Sequence, residues 1–418
     1  MSHTPIPPVE PRPYLMQNEI QHYEWGTRDA EAYIPRLLGI SPAVGVPYGE
    51  LWMGAHPKAP SHIIVNGTSL ALDQWIATYP LELLGAAVSQ HFDGQLPFLF
   101  KVLAAGEALS IQAHPNKAQA KLLHAAAPQH YPDDNHKPEV AIALDSLTAL
   151  MGIKPFPELS ETLDQYPEIA NFIAAGVAHR LADKQTAAYA EQQAATRDVL
   201  VSLFDSSVTR PGELVVAIDA LQQRLLASTS PLGEAEHLFL ELRQKYPGPD
   251  VGLLALFLLN LVHLNEGEGM YADAGVPHAY LKGNIIECMA NSDNVVRVGL
   301  TTKFKDARAL VDILRYEPGP VAILKPAPDQ DLTVYQTPAP EFRVSRLRLQ
   351  AGATCRQQTG NRPVVYIVIA GSVGFNWPGG SQEYHRGQSI FIPALLSDFN
   401  LSATTQVELF KADVPIYR

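Results

Sequence analysis

The stretch ALSIQAHPNK, Ala108 to Lys117, follows an apolar run, LPFLFKVLAAGEAL, yet carries a hydroxyl, an amide and an imidazole at alternate positions. Successive side chains of an extended strand point to opposite faces. Ser110, Gln112 and His114 therefore share one face, and Ile111 and Ala113 share the other. Three distant segments repeat the pattern. In DDNHKPEVAIAL, Lys137 and Glu139 are two apart. In GVPHAYLKG, His278 and Tyr280 are two apart. In IIECMANSDNVVRVGL, Asp293 and Arg297 are four apart, so in one strand they share a face. A single polar strand face is ordinarily the solvent side of a sheet. Four such faces carrying chemically useful side chains point instead to strands that oppose one another across a small β-barrel. Their polar sides then meet inside it, where ligands and metals bind.

The rest of the chain divides by periodicity. Residues 1–155 read as short strands and turns, with a hairpin signal at Asn66-Gly67 and short helices in ALDQWIATYPLELLG and AQAKLLHAAA. Residues 156–264 show apolar spacing of three and four and read as a helical block, with Ser230-Pro231 as a helix start. Strands return over 265–322. Residues 323–418 read as a second sandwich or barrel. The longest apolar run, Val251 to Leu264, is broken by Asn260; it reads as a buried helix too short to span a bilayer. The fold class is thus mainly β with a helical insertion.

At 418 residues, 46% hydrophobic and 18% charged, the chain has the size and composition of a soluble multidomain protein. Its net charge of −12 argues against a nucleic-acid partner, though not against a small anion held in a local cationic pocket. Two cysteines, Cys288 and Cys355, make no disulfide framework and fit a reducing compartment. The N-terminus MSHTPIPPVEPRPYL lacks the apolar core of a signal peptide. A cytoplasmic monomer without a membrane partner is expected. No Walker A loop, Rossmann glycine pattern or zinc-finger spacing occurs.

Strand parity nominates a metal set: Gln112, His114, Glu139 and His278. Two imidazoles and a carboxylate suit zinc, and Gln112 adds a neutral oxygen. The set cancels one of the two ionic charges, so the metal stays electrophilic. The ordinary alternative for each histidine is a hydrogen-bonded core residue. His56, His124 and His136 lie near these segments and are left out of the set.

The same segments closely resemble the type I phosphomannose isomerases. The resemblance rests on IQHYEWG, YGELWMGAHPKAPS, LPFLFKVLAAGEALSIQAHPNKAQAKLLH, YPDDNHKPEVAIAL and PHAYLKGNIIECMANSDNVVRVGLTTKFKD. It implies a double cupin: a zinc-dependent catalytic barrel interrupted by the helical domain, then a cupin-like barrel without a metal site. The C-terminal part offers only one histidine, His385. The resemblance also implies one Zn2+ per chain, on the four residues named above. The implied reaction interconverts mannose 6-phosphate and fructose 6-phosphate, in mannose metabolism and the supply of GDP-mannose. Asn116, Thr302 and Glu24 depart from the family's usual residues, and none is a ligand. Two other readings share the barrel: a non-catalytic sugar-phosphate-binding cupin and a different metal-dependent cupin enzyme.

Aldose–ketose isomerisation moves a proton from C2 to C1 through a cis-enediol. It needs a base near both carbons and a cation beside the developing oxyanion. Arg297 is the candidate charge stabiliser; its ordinary alternative is an ion pair with Asp293. Lys137, Glu287, Asp293 or a metal-activated hydroxide could be the base, and Lys137 could equally be an electrostatic anchor. By their matching positions in the family, Lys101, Ser110 and Lys303 would contact phosphate. Lys101 also interrupts PFLFKVL, where an unpaired ammonium would be costly. Trp25, Glu50, Trp52 and Tyr280 are expected as pocket walls.

Overall fold

The structure is a computed structural model that describes residues 6–415 except 66, 175, 183 and 327–329. Its spine is the long strand His278–Ala290. The N-terminal half of this strand pairs with Leu147–Ile153 and, through His278, with Ile111–Ala113. Its C-terminal half pairs with Phe98–Ala105 and Glu139–Ala143. Exchanging partners midway requires a break in the ladder, and Gly283 supplies it. This residue adopts φ +132, and a Cβ there would lie 2.3 Å from the Ser146 carbonyl oxygen. The result is an antiparallel cupin-type barrel. All eight residues of Phe98–Ala105 are buried, as expected of a strand covered on both faces.

The helices of the insertion cover one side of this barrel. Phe156, Leu159, Val199, Leu203, Leu221 and Phe239 share one apolar cluster with Ile111, Ala113, Ala279, Leu281, Val296 and Val298. Those barrel residues alternate with Gln112, Tyr280 and Arg297. The apolar parity of ALSIQAHPNK thus faces the helical domain, and the polar parity faces the barrel interior.

Three boundaries differ from the sequence reading. First, the apolar run Val251 to Leu264 is not one helix. It comprises a short helix Gly252–Ala255, a 3-10 turn Leu256–Leu258 and a strand Leu259–Leu264 paired with Leu147–Ile153. Asn260 interrupts it because its Nδ2 donates to the carbonyls of Met151, Ile153 and Gly319 at 3.1, 3.1 and 3.0 Å. Second, Ser230-Pro231 does not begin a helix. The helix Glu234–Lys245 starts after Gly233, whose N–H donates to Glu236 at 2.7 Å. Third, residues 1–155 do not all belong to the first barrel. Tyr14–Gln17 pairs with Ser389–Ile392, and the hairpin His62–Val65/Thr68–Ala71 extends that C-terminal sheet. Gly67 at φ +80 makes the turn, while Asn66 lies outside the described residues.

The C-terminal sandwich packs this sheet against a second one made of Thr354–Gln358, Asp398–Ala403, Ser372–Trp377 and Gly380–His385. Tyr366, Phe375, Tyr384 and Phe399 fill the space between. His385 contacts the Ser372 hydroxyl at 2.9 Å on the surface. Among the described residues, no helix is long and apolar enough to cross a membrane.

Glu341 joins the C-terminal sandwich to the barrel. Its buried carboxylate accepts from His136 at 2.7 Å and lies 3.6 Å from Lys117. Burial alone would raise its pKa, but the His136 bond and charge hold it below the usual range. A depressed pKa stabilises the fold above the unfolded-state value and stops doing so as pH falls through the folded value. Glu341→Gln is therefore expected to lower the melting temperature at neutral pH, by the equivalent of ~1–3 kcal/mol. The gap to wild type should close when melting is repeated in acid, below the folded pKa.

Candidate active site

His114, Glu139 and His278 are fully buried, and their ligand atoms all lie within 4.8 Å of one another. Each imidazole is oriented by a backbone carbonyl. His114 Nδ1 lies 2.8 Å from the Asn294 oxygen, and His278 Nδ1 lies 2.9 Å from the Val276 oxygen. A carbonyl only accepts, so both Nδ1 atoms carry the proton and both Nε2 lone pairs face inward. Those lone pairs meet the Glu139 carboxylate: His278 Nε2 is 2.9 Å and His114 Nε2 is 3.4 Å from its oxygens. His278 Nε2 has no hydrogen-bond partner among the described residues despite full burial. Three electron-pair donors aimed at one dry spot are mutually repulsive unless a cation lies between them, so the residues fit a metal. Burial and the Lys137 charge lower His114 to about 4, which keeps its lone pair available. Burial pushes Glu139 upward, but the Lys137 charge beside it outweighs that and holds the carboxylate ionised.

Gln112 is the cross-strand neighbour of both His278 and Arg297. Lys137 Nζ sits 2.6 Å from Glu139 Oε2 and 3.5 Å from His114 Nε2, so it leans over the metal set. The Tyr280 hydroxyl donates to Glu139 Oε1 at 3.0 Å. Tyr280 is thus a support for a ligand as well as a wall.

Gln112, Lys137 and Tyr280 line a cleft of about 710 Å³. Trp25, Glu50, Lys101, Ser110, Gln112, Lys137, Tyr280, Glu287, Asp293, Arg297 and Lys303 all line it. The cleft therefore gathers residues from every segment singled out by strand parity. Two of the expected roles do not fit the geometry. Lys101 is not free for a phosphate: its ammonium is buried 2.9 Å from Glu287 and 3.2 Å from Glu50. Burial opposes that charge, but the two carboxylates prevail and keep Lys101 protonated. Glu50 also accepts from Trp52 Nε1 at 2.5 Å, so it is a charge partner as well as a wall. Nor do Asp293 and Arg297 share a strand face. The strand begins at Val296, and Asp293 instead lies 2.7 Å from Lys58 and 3.5 Å from His56.

Arg297 makes no ion pair among the described residues, and burial lowers its pKa. Lys303 is likewise unpaired by a carboxylate; burial and then the Arg297 charge lower its pKa, and its ammonium lies 5.8 Å from the Tyr23 ring. The cleft thus has carboxylates and ammonium groups paired along its floor and unneutralised cations along its wall.

Comparison with known proteins decides the family. The model of the phosphomannose isomerase type I catalytic domain matches residues 14–156. Mannose-6-phosphate isomerase of Mus musculus is 38% identical over 401 residues, covering 92% of this chain and 94% of that protein. The Homo sapiens enzyme of the same name is 40% identical over 360 residues, covering 82% and 84%. The chain belongs to the type I phosphomannose isomerases. A crystal structure of zinc-bound mannose 6-phosphate isomerase superimposes with a TM-score of 0.82 at 30% identity, over 97% of this chain and 100% of that one. An arginine-to-alanine mutant of phosphomannose isomerase from Salmonella typhimurium gives 0.83 at 31%, with the same coverage.

Sequence reasoning missed what holds the candidate metal ligands of this phosphomannose isomerase in place. Asp133 accepts from the Ser292 hydroxyl at 2.8 Å, the Asp293 N–H at 2.7 Å and Asn294 Nδ2 at 3.0 Å. It thereby fixes the turn whose Asn294 carbonyl orients His114. The only signal is that Asp133 and Asn294 both fall in the resembling segments YPDDNHKPE and ANSDN. Supports of this kind are worth ~10–100-fold in metal affinity. Asp133→Ala is expected to weaken zinc binding by about that factor in a chelator competition. His278→Ala should abolish stoichiometric zinc, read by metal analysis.

Proposed function

We propose that this chain interconverts D-mannose 6-phosphate and D-fructose 6-phosphate through a cis-enediol, with one zinc ion on His114, Glu139, His278 and Gln112. The observation that carries the reading is the register of three adjacent strands. It sets Gln112 between His278 and Arg297, which has no ion pair among the described residues, so a metal held by His278 and that guanidinium would face the same sugar. When bound, zinc supplies polarisation of the sugar oxygens at C1 and C2.

The protein's own groups do the rest. Each candidate base has an ionic partner: Asp293 has Lys58, Lys137 has Glu139 and Glu287 has Lys101. Lys137 then serves as a fixed cation for the enediolate. Glu287 is the base: it lines the cleft, and burial pushes its carboxyl above the usual range, against the opposing charge of Lys101. It removes the C2 proton, leaving a cis-enediolate charged at O1; the O2 proton passes to O1, and Glu287 returns its own proton to C1 as the carbonyl forms at C2. Lys101 keeps one Glu287 oxygen in place throughout. Arg297 faces the enediolate charge. Lys303 and the Ser110 hydroxyl, which also line the cleft, take the phosphate.

A coupled assay for fructose 6-phosphate formed from mannose 6-phosphate, with and without chelator, tests the activity. Metal-dependent turnover is expected; tight sugar-phosphate binding without turnover would make the chain a binding protein. Glu287→Gln should lower kcat by ~10²–10⁴-fold with zinc content intact and C2 solvent exchange lost. The ionised form of Glu287 is the base, so activity falls as pH drops through its raised pKa. The acid limb of kcat/KM should therefore lie above the ordinary glutamate value of ~4.3 and vanish from the residual profile of Glu287→Gln.

A further inference from the structure

The turn after the Arg297 strand, Leu300 to Lys303, carries the cationic wall of the cleft, and its backbone is strained. Leu300 has φ +55, a left-handed conformation that is unfavourable for a non-glycine residue. Something must hold it there, and the structure shows what does. Asp250, buried in the loop that leaves the helical domain, accepts at Oδ1 from the Leu300 N–H at 2.8 Å. The same oxygen accepts from the Gly252 N–H at 2.8 Å. Its Oδ2 accepts from the Thr301 N–H at 3.3 Å and lies 3.3 Å from Lys305 Nζ. The Thr301 hydroxyl in turn accepts from the Lys303 N–H at 3.1 Å.

The approach is so close that side chains are excluded. A Cβ on Gly299 would lie 2.4 Å from Asp250 Oδ1, and one on Gly252 would lie 2.7 Å from the Leu300 nitrogen. Behind Asp250, Arg243 donates to the carbonyls of Tyr246 and Gly248 and to Asp219 at 2.6 Å. The loop is thereby anchored to two helices of the insertion.

We infer that Asp250 is a positioning residue, through which the helical domain holds the Leu300–Lys303 turn in the shape that presents Lys303 to the substrate phosphate. This rests on the proposed phosphate role of Lys303. It gives the helical insertion a part in substrate recognition as well as in covering the barrel.

The test compares the zinc-loaded wild-type protein with Asp250→Asn, which can keep an oxygen toward Leu300 and Gly252 while turning an amide toward Thr301. KM for mannose 6-phosphate should rise ~10-fold or more with kcat held within about 3-fold, which is the signature of lost uniform binding. Zinc stoichiometry should not change. Inorganic phosphate, titrated calorimetrically into both zinc-loaded proteins, should bind the variant more weakly by a similar factor. Lys305→Met, which removes only the outer partner of Asp250, should move both readouts the same way by less. Unchanged KM and phosphate affinity in Asp250→Asn overturn the inference, as does a fall in kcat accompanied by zinc loss. A wild-type protein that binds phosphate but does not isomerise overturns the proposed activity instead, and the phosphate titration then decides the role of Asp250 alone.

Discussion

Two imidazole lone pairs and a carboxylate converge where water cannot reach, and much of the barrel is arranged around that convergence. Each donor set against another in a low-dielectric space is unfavourable, and only a cation reverses the sign. The backbone makes the choice of donor atom irreversible. The carbonyls of Asn294 and Val276 occupy the Nδ1 protons, so neither ring can turn its lone pair outward without losing a buried hydrogen bond. Lys137, 2.6 Å from Glu139 and 3.5 Å from His114, brings one positive charge close to the spot but leaves His278 Nε2 without a hydrogen-bond partner among the described residues.

The long strand His278–Ala290 turns this local requirement into an active site. Its first half brings His278 and Tyr280 to Glu139, and its second half brings Glu287 to Lys101. Gly283 lies between the halves, where the strand changes partners. The metal centre and the Lys101–Glu287 pair are therefore mounted on one continuous piece of backbone. Their separation is set by strand rise and not by loop conformation. The helical domain packs on the opposite parity of the same strands and stiffens them from behind.

What could be read from the amino-acid order follows from this geometry. Alternation is a local property, so the polar faces of Ser110–His114, Lys137–Glu139 and His278–Tyr280 were visible in the sequence, and with them the metal set. Alternation fails where the chain is not yet a strand, which is why Asp293 and Arg297 part company before Val296. Pairing over long separations has no local sign at all. Nothing near Lys101 announces that Glu287, 186 residues away, will neutralise it. Nor does Tyr14–Gln17 announce that it will join a sheet built by the last strands of the chain. The run Val251 to Leu264 misled for a third reason. A wholly apolar stretch fits a buried strand and a buried helix equally, and Asn260 becomes intelligible only once its three carbonyl partners are known.

Charge explains why such a site suits an anion. Glu50, Glu139 and Glu287 are buried carboxylates, and Lys101 and Lys137 are the buried ammonium groups set among them. The floor alone is one charge negative, which repels a sugar phosphate. A divalent ion turns that to one positive, and Arg297 and Lys303 add to it from the wall. The binding of metal thus reverses the sign of the cleft as well as completing its chemistry. The reversal is confined to the interior, because the chain as a whole carries −12. A strongly anionic surface with a locally cationic cleft concentrates the attraction where the reacting carbons lie. The same arithmetic accounts for the burial of Glu50 beside Lys101. Without its carboxylate the floor would be neutral before the metal arrived, and an anion could then settle there in place of the ion that the donors require.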